Sequence, residues 1–158
     1  MSAGGQRAVA TNRRARHDYA IEESFEAGIV LTGSEVKSLR SGRATLGESF
    51  ARIRDGELWL ENLHIPPYQQ ADTKSTYDPR RDRKLLLHRE EIERLIGKTQ
   101  ERGLTLVPLR LYFTHGLAKL ELGLGRGKRQ FEKRQAIAER EHRREMERAV
   151  SRRARGER

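Results

Sequence analysis

Apolar and polar residues alternate with a period of two over several short stretches of the chain, a pattern typical of half-buried β-strands. Tyr19, Ile21 and Phe25 fall on one parity and predict the first strand. We expect Gly28 to bend the chain before a second short apolar strand. Residues 49–63 predict the clearest hairpin, since an Asp-Gly pair suited to a type I′ turn separates two runs of strand-forming residues.

A further pair of alternating runs follows after residue 103. Four apolar residues of one parity predict a strand here: Val107, Leu109, Leu111 and Phe113. Pro108 lacks a backbone N–H, so it places part of this strand at an edge or a bulge. After a turn at residues 115–116, a last strand is expected to face the core with Leu120, Leu122 and Leu124.

Two stretches have helical features instead. Thr32 and Glu35 have the spacing of a capping box and open a short helix. A second helix is predicted over about 88–102, with Gly103 at its end and Gly97 weakening its interior. With roughly six mostly sequential strands, the pattern predicts a mainly β fold with two to three short helices. A small antiparallel barrel of the oligonucleotide-binding type would leave no exposed sheet edges.

Composition divides the chain into three parts. Residues 1–12 are small and polar and are expected to form a mobile lead-in, and residues 13–125 form the barrel. Within the barrel, residues 66–84 lack apolar periodicity, and a loop of that length is usually functional or disordered. Residues 126–158 form a basic tail with 13 Lys and Arg against 6 Asp and Glu, which is +7 of the chain's formal net charge of +10.

The tail cannot bury enough apolar surface to fold alone, so we expect it to be disordered in solution and ordered by a polyanion. If helical, it carries a thin apolar stripe: Phe131, Ala138, His142, Met146 and Val150. Nucleic acid is the leading partner and an acidic membrane surface the second. The tail lacks the wide apolar face of a membrane-surface helix, and no run of about 18 apolar residues occurs, so no membrane association is expected. Without a visible secretory signal, the sequence predicts a cytoplasmic protein.

Catalytic and metal-binding patterns are not evident in the sequence. There are no cysteines, and no two of the five histidines lie at metal-ligand spacing on one element. The stretch GLGRGK lacks the spacing and the Ser or Thr of a phosphate-binding loop. We therefore expect a binding protein with no enzymatic activity, no cofactor and no metal.

Basic and aromatic residues before the first strand indicate an RNA partner. The segment NRRARHDY supplies guanidinium groups for phosphates and flat rings that stack on bases, from Arg13, Arg14, Arg16, His17 and Tyr19. Lys37 and Arg40 lie three residues apart on the first predicted helix, where they could contact phosphates. A solvated basic arm and a solvated helix face are the alternatives for these two segments.

Three colinear blocks carry a resemblance to a known family. Residues 12–57, then YDPRRDRKLLLHREEIERL, then GRGKRQFEKR are similar to the SsrA-binding proteins, also called small protein B, and the similarity runs from about residue 12 to 140. The resemblance implies a barrel of the oligonucleotide-binding type that binds the tRNA-like domain of transfer-messenger RNA. It also implies delivery of that RNA to stalled ribosomes for trans-translation, with the tail turning helical in the empty mRNA channel. Elongation factor Tu, reached through the RNA, and a monomeric state are further expectations.

The same resemblance implies individual site residues. For transfer-messenger RNA they are Asn12, Arg14, His17, Glu26 and Leu86. For the ribosomal decoding centre they are Gly127, Lys128, Arg129, Lys133 and Arg134. Two departures from the family pattern stand out: Phe131-Glu132 replaces a usual His-Asp pair, and His142 and Ala149-Val150 replace a usual Trp and a bulkier apolar pair. A phenyl ring at 131 can still stack on a base but cannot donate a hydrogen bond.

A second function class remains open from composition alone. A general single-strand RNA-binding protein, or a structural ribosomal protein with a basic extension, would also carry an arginine-rich tail. Such a protein would show no preference for a tRNA-like fold, and its tail would act in proportion to its charge.

Overall fold

The computed structural model of the chain describes residues 6–68, 76–101 and 103–156, and of residues 129–134 only the backbone. Over this part of the chain, seven strands and four helices follow one another: β1 (Arg7–Thr11), α1 (Ala15–Asp18), β2 (Tyr19–Ile29), α2 (Gly33–Arg40), β3 (Phe50–Arg54), β4 (Glu57–Glu61), β5 (Arg83–Leu86), α3 (Arg89–Thr99), β6 (Leu104–Thr114), β7 (Leu117–Gly127) and α4 (Lys128–Ala154).

All seven strands belong to one antiparallel sheet, in the order β1-β6-β7-β2-β5-β4-β3. β1 pairs only with the second half of β6, from Arg110 to Phe113. At the opposite edge of the sheet, β3 approaches the first half of β6, and residues 50–52 and 105–108 line a shared groove. The sheet therefore curls into a barrel-like body, and the prediction of a mainly β, antiparallel fold is confirmed.

The interior of the curled sheet is filled largely by leucines. Ten of them are at most 1% exposed: Leu39, Leu58, Leu60, Leu63, Leu85, Leu95, Leu111, Leu120, Leu122 and Leu124. Each such side chain contributes roughly 1.5–3 kcal/mol by leaving water. The predicted inward row of β7 is confirmed, since Leu124 is also buried.

A bulge in β6 reverses the side of the sheet that its side chains face. The pairing register shifts between Pro108 and Arg110. Val107 and Leu109 pack in a small second cluster, away from the main core. Leu111 and Phe113, beyond the bulge, pack in the main core. Of the edge or bulge expected at the proline, a bulge is found. The four apolar residues share one parity along the chain but not one face of the sheet, because the bulge inserts one extra residue.

The second cluster lies between α1 and the sheet. A register shift in β2 between Ile21 and Glu23 puts Tyr19 and Ile21 in this cluster, with Ala15 of α1, whereas Phe25 packs on the main core. Glycines of β7 leave the space for it. A Cβ on Gly125 would lie 2.7 Å from the carbonyl oxygen of Ala20 and 3.0 Å from Ile21 Cδ1, closer than side-chain atoms pack.

Three local predictions differ from the structure. Residues 7–11, assigned to the lead-in, form the edge strand β1. β2 does not bend at Gly28 but continues to Ile29, and Gly28 pairs with Leu86 and with Lys119. β5 was not predicted, because it has only four residues and its first two, Arg83 and Lys84, end the segment that lacks periodicity.

The turns and caps agree with the sequence. Asp55 and Gly56 have φ angles of 51° and 75°, as a type I′ turn between β3 and β4 requires. The capping box of α2 is formed, with the Thr32 side chain accepting from the Glu35 backbone and the Glu35 side chain accepting from the Thr32 backbone. Gly103, after α3, has φ of 84°.

Two glycine substitutions should have opposite effects on stability. Gly125→Ala forces a methyl group against the β2 backbone, so we expect it to lower the free energy of unfolding by about 1–3 kcal/mol. Gly97→Ala lies in α3 with no atom within 4 Å of the added Cβ, so it should raise that free energy by up to about 1 kcal/mol. Urea unfolding of both variants measures the effects, and equal changes in both would contradict the packing argument.

Candidate RNA interface

The predicted basic cluster surrounds α1. Arg13, Arg14, Arg16 and His17 are all exposed there. Asn12, in contrast, is buried and has a structural role. Its side-chain amide donates to the Pro108 carbonyl at 2.9 Å, and its backbone N–H donates to the Leu109 carbonyl at 2.8 Å. Asn12 thus fastens the start of α1 to the β6 bulge and holds the arginines beside it.

The two ring-bearing residues of this cluster differ in exposure. The His17 side chain is 87% exposed, with Nδ1 3.0 Å from Asp18 Oδ1. Tyr19 is half-buried and packs on the second cluster. His17 therefore has the more accessible ring for contact with a base.

A chain of polar contacts crosses the outer face of the sheet and reaches the basic cluster. Glu121 accepts a hydrogen bond from Arg16 at 3.4 Å and forms an ion pair with Arg110 at 3.3 Å, through different carboxylate oxygens. The Arg110 guanidinium lies 4.4 Å from the centroid of the Tyr112 ring. The Tyr112 hydroxyl donates to Glu26. We call these five residues the outer-face network.

Strand register explains why these residues meet. Arg110 lies opposite Glu121, which lies opposite Glu26, so the three side chains form one row across β6, β7 and β2. Gly28 is two residues beyond Glu26 on the same face. A Cβ atom at Gly28 would lie only 3.3 Å from Leu86 Cβ, so the missing side chain leaves space for Leu86. Leu86 is 50% exposed. Arg16, Glu26 and Leu86, predicted separately, are therefore brought to one face.

Burial widens the pH range in which Tyr112 is protonated. Removal from water, followed by the hydrogen bond to Glu26, raises the pKa of the Tyr112 hydroxyl above its usual value of about 10. The hydroxyl therefore remains a donor throughout the neutral pH range. Glu26 is exposed as a residue, and its carboxylate keeps lone pairs beyond the one that Tyr112 uses.

The other predicted basic pair lies on α2. Lys37 and Arg40 are exposed. Lys37 Nζ is 5.7 Å from the ring centroid of Tyr68, and the Arg40 carbonyl accepts from Arg7 Nη2 at 3.0 Å. The latter bond links the end of α2 to β1. Arg40 therefore contacts the edge strand β1, and Lys37 contacts the start of the long loop.

A buried ionic network, absent from the sequence predictions, holds α2 in place. Besides capping its helix, Glu35 accepts from Arg81, from Arg83 Nε at 2.7 Å and from the Tyr77 hydroxyl at 3.1 Å. The side chains of Glu35 and Arg83 are 0% exposed. Sequence reasoning assigned Glu35 a cap alone, and the only signal for the rest was the cluster of arginines in YDPRRDR.

Opposing influences act on the pKa of Glu35. Burial raises the pKa, but the hydrogen bonds from Arg81 and the Thr32 backbone, with the charge of Arg83, outweigh it and hold it below its ordinary value. Glu35 is therefore ionised in the folded protein at neutral pH, and it compensates the buried charge of Arg83.

The tail is a helix in the structure. Gly127 pairs with Tyr19 at the end of β7, and α4 begins at Lys128. The side chains of four predicted decoding-centre residues lie outside the described part: Arg129, Phe131, Lys133 and Arg134. His142, Met146 and Val150 recur every four residues and are exposed along one side of α4. The expectation that this tail is disordered in solution stays a prediction.

Within residues 6–68, 76–101 and 103–156, no group of three or more His, Cys, Asp or Glu is placed to hold a metal ion. No helix of those residues is both long and apolar enough to cross a membrane.

A curled antiparallel sheet with a basic cluster at one end, continued by a long exposed basic helix, defines a class of small β proteins built to contact a polyanion. The model of one family, the SmpB protein, matches residues 9–152. The chain belongs to the SmpB family, and the resemblance noted in its sequence is confirmed.

Sequence relatives and a solved structure agree with this family assignment. The chain is 60% identical to the SsrA-binding protein of Acidothermus cellulolyticus, over 98% of this chain and 96% of that protein. It is 62% identical to the SsrA-binding protein of Thermobifida fusca, over 94% and 92%. A chain of a solved structure, described as "tmRNA-SmpB: a journey to the center of the bacterial ribosome", is 59% identical. It has a TM-score of 0.62, over 75% of this chain and 83% of that one.

The Glu35 network predicts a dependence of stability on acid. Because the folded pKa of Glu35 is lowered, its contribution is complete above the ordinary value of 4.5 and is lost as the pH falls through the folded pKa. Glu35→Gln should lower the free energy of unfolding at pH 7 by about 3 kcal/mol and should flatten its pH dependence below 4.5.

Urea unfolding between pH 3 and 7 measures both effects. Glu48→Gln is the matched control, because the Glu48 side chain is 78% exposed and its closest cation is 4.0 Å away. Unchanged pH dependence in Glu35→Gln would show that Glu35 does not govern acid stability.

Proposed function

We propose that this protein binds the tRNA-like domain of transfer-messenger RNA and delivers it to stalled ribosomes for trans-translation. The observation that carries the proposal is the meeting of Arg16 with Glu26 and Leu86 on one face of the sheet, through Glu121, in a chain of the SmpB family. The relatives are named for the RNA they bind, and the solved neighbour is described with that RNA and the ribosome.

The two parts of this surface divide the recognition of the RNA. Arg13, Arg14 and Arg16 offer guanidinium forks to phosphates, which supplies affinity that falls as salt rises. Glu26 and Leu86 cannot attract phosphate, so they select positions where the RNA presents a hydroxyl, an N–H or an apolar base face. Recognition of the shape of the RNA follows because the sheet fixes the position of the arginines relative to Glu26 and Leu86.

The tail is the ribosome-contacting part of the proposal. A 27-residue helix is about 40 Å long, and the described side chains of α4 beyond residue 134 are exposed on all sides. Such a helix suits a narrow channel lined by phosphates, where it would compete with mRNA. Gly127, Lys128, Arg129, Phe131, Lys133 and Arg134 would contact the decoding centre, and His142, Met146 and Val150 the channel beyond.

The remaining parts of the proposal follow from this role. The protein acts in the cytoplasm as a monomeric adaptor without catalytic activity of its own. Elongation factor Tu meets it through the shared RNA.

RNA binding tests the first half of the proposal. Purified protein should prefer the tRNA-like domain over ordinary tRNA and over unstructured RNA of equal length. The preference should persist from about 50 to 300 mM salt, since contacts other than phosphate pairs do not depend on counterion release. Equal affinities that fall together on one steep salt slope would instead indicate a general RNA-binding protein.

Removal of the tail tests the second half. Arg126 pairs with Glu22 at 3.1 Å and Gly127 pairs with Tyr19, so the chain should be cut after Lys128 to spare the sheet. The truncated protein should keep its affinity for the tRNA-like domain within about threefold and lose peptide tagging on ribosomes stalled without mRNA in the channel.

A chain with the tail residues in scrambled order is the matched control, because it keeps length and charge. Tagging by the scrambled chain at the full rate would mean that charge alone acts. Tagging by the truncated chain would contradict a role for the tail.

A further inference from the structure

We propose that Tyr112 is a positioning residue for RNA recognition, which holds the carboxylate of Glu26 as a preset acceptor for a donor group of the RNA. The donor is a ribose 2′-hydroxyl or a base N–H. This inference rests on the proposed function and deepens it, since neither the family resemblance nor the relatives assign a role to Tyr112.

Tyr112 is fixed more firmly than the residue it contacts. It lies within β6, between β1 and β7, opposite Ala8 on one side and Lys119 on the other. It is 2% exposed although it belongs to the outer face of the sheet. The hydroxyl that meets Glu26 therefore projects from a rigid, almost completely covered ring.

Arg110 provides the cover for this ring. Its guanidinium lies over the ring at 4.4 Å and is held from two sides, by the Gln6 side-chain oxygen at 3.0 Å and by Glu121 at 3.3 Å. Glu121 also binds Arg16, so the position of the ring is tied to the basic cluster at α1. The arrangement keeps water from the Tyr112 hydroxyl and leaves Glu26 as its acceptor.

A fixed hydroxyl changes what Glu26 can do. A glutamate side chain on a surface samples many rotamers, and ordering it on binding costs free energy. Tyr112 orders one carboxylate oxygen in advance and leaves further lone pairs for an incoming donor. Because a carboxylate repels phosphate, the preset group favours RNA whose fold presents a hydroxyl or N–H at this point.

The test compares affinities for the isolated tRNA-like domain. Tyr112→Phe keeps the ring under Arg110 and removes only the hydroxyl. We expect about tenfold weaker binding with an unchanged salt slope, because no phosphate contact is lost. In a Glu26→Ala background the same substitution should have no further effect, which is the signature of one residue acting through another.

Tyr77→Phe is the matched control. Tyr77 is also a partly buried tyrosine whose hydroxyl donates to a glutamate, Glu35, but it lies in the ionic network behind α2. It should leave RNA affinity unchanged, and thermal unfolding of both variants gives the loss of stability in each case.

Several outcomes would overturn the inference. The first two are an unchanged RNA affinity in Tyr112→Phe, and a loss of affinity from Tyr112→Phe that is just as large in the Glu26→Ala background. The other two are a loss of affinity in Tyr77→Phe as large as that in Tyr112→Phe, and a reduced salt slope in Tyr112→Phe. The unsubstituted protein is titrated in the same series against ordinary tRNA. If it shows no preference, the proposed function fails together with the inference. If the preference is present and Tyr112→Phe binds normally, only the inference fails.

Discussion

The buried guanidinium of Arg83 is the interaction on which the arrangement of the barrel depends. Its Nε donates to Glu35, its Nη1 to the carbonyls of Leu63 and Arg81, and its Nη2 to Tyr77 and to the carbonyl of Pro79. A buried charge is tolerated only when it is paired and fully hydrogen-bonded. One side chain thereby fixes α2, the end of β4 and the base of the long loop relative to β5.

The bulges in β2 and β6 allow one sheet to bury two clusters of apolar residues. An unbroken alternation would place every apolar residue of these strands on one side. Before the bulges, Ile21 of β2 and Val107 and Leu109 of β6 pack toward α1. Because each bulge inserts one residue, Phe25, Leu111 and Phe113 beyond it pack in the main core, although they have the same parity. The second cluster then supports α1, because a helix of four residues alone could not hold the exposed arginines in and before it. The local irregularity in the sheet thus gives the basic cluster a fixed position.

Features that depend on a few adjacent residues could be predicted from the sequence, and features that depend on register could not. The turn at Asp55-Gly56 and the capping box at Thr32 are encoded within four residues, and both are formed. The bulges change the face that residues occupy without changing composition, so the alternation along the sequence does not reveal them. The contact of Tyr112 with Glu26 spans 86 residues and that of Arg16 with Glu121 spans 105. Such contacts follow only from the order of β6, β7 and β2. The family resemblance supplied Glu26 and Leu86 but not the residues that connect them.

The two parts of the molecule differ in what determines their conformation. The sheet is fixed by burial, whereas α4 exposes its described apolar residues, with Met146 at 57% and Val150 at 65%. Four arginines recur at intervals of four along it: Arg140, Arg144, Arg148 and Arg152. Like charges at this spacing destabilise an isolated helix by about 0.2–0.5 kcal/mol per pair. Phosphates placed along that row would remove the repulsion and favour the helix. Such a helix would be stable only where phosphates surround it. If mRNA occupied the channel, the tail would be excluded from those phosphates and the helix would not be stabilised. Under the proposed function, the rigid sheet and the conditional helix would serve different steps, since the sheet would select the RNA and the helix would respond to the state of the ribosome.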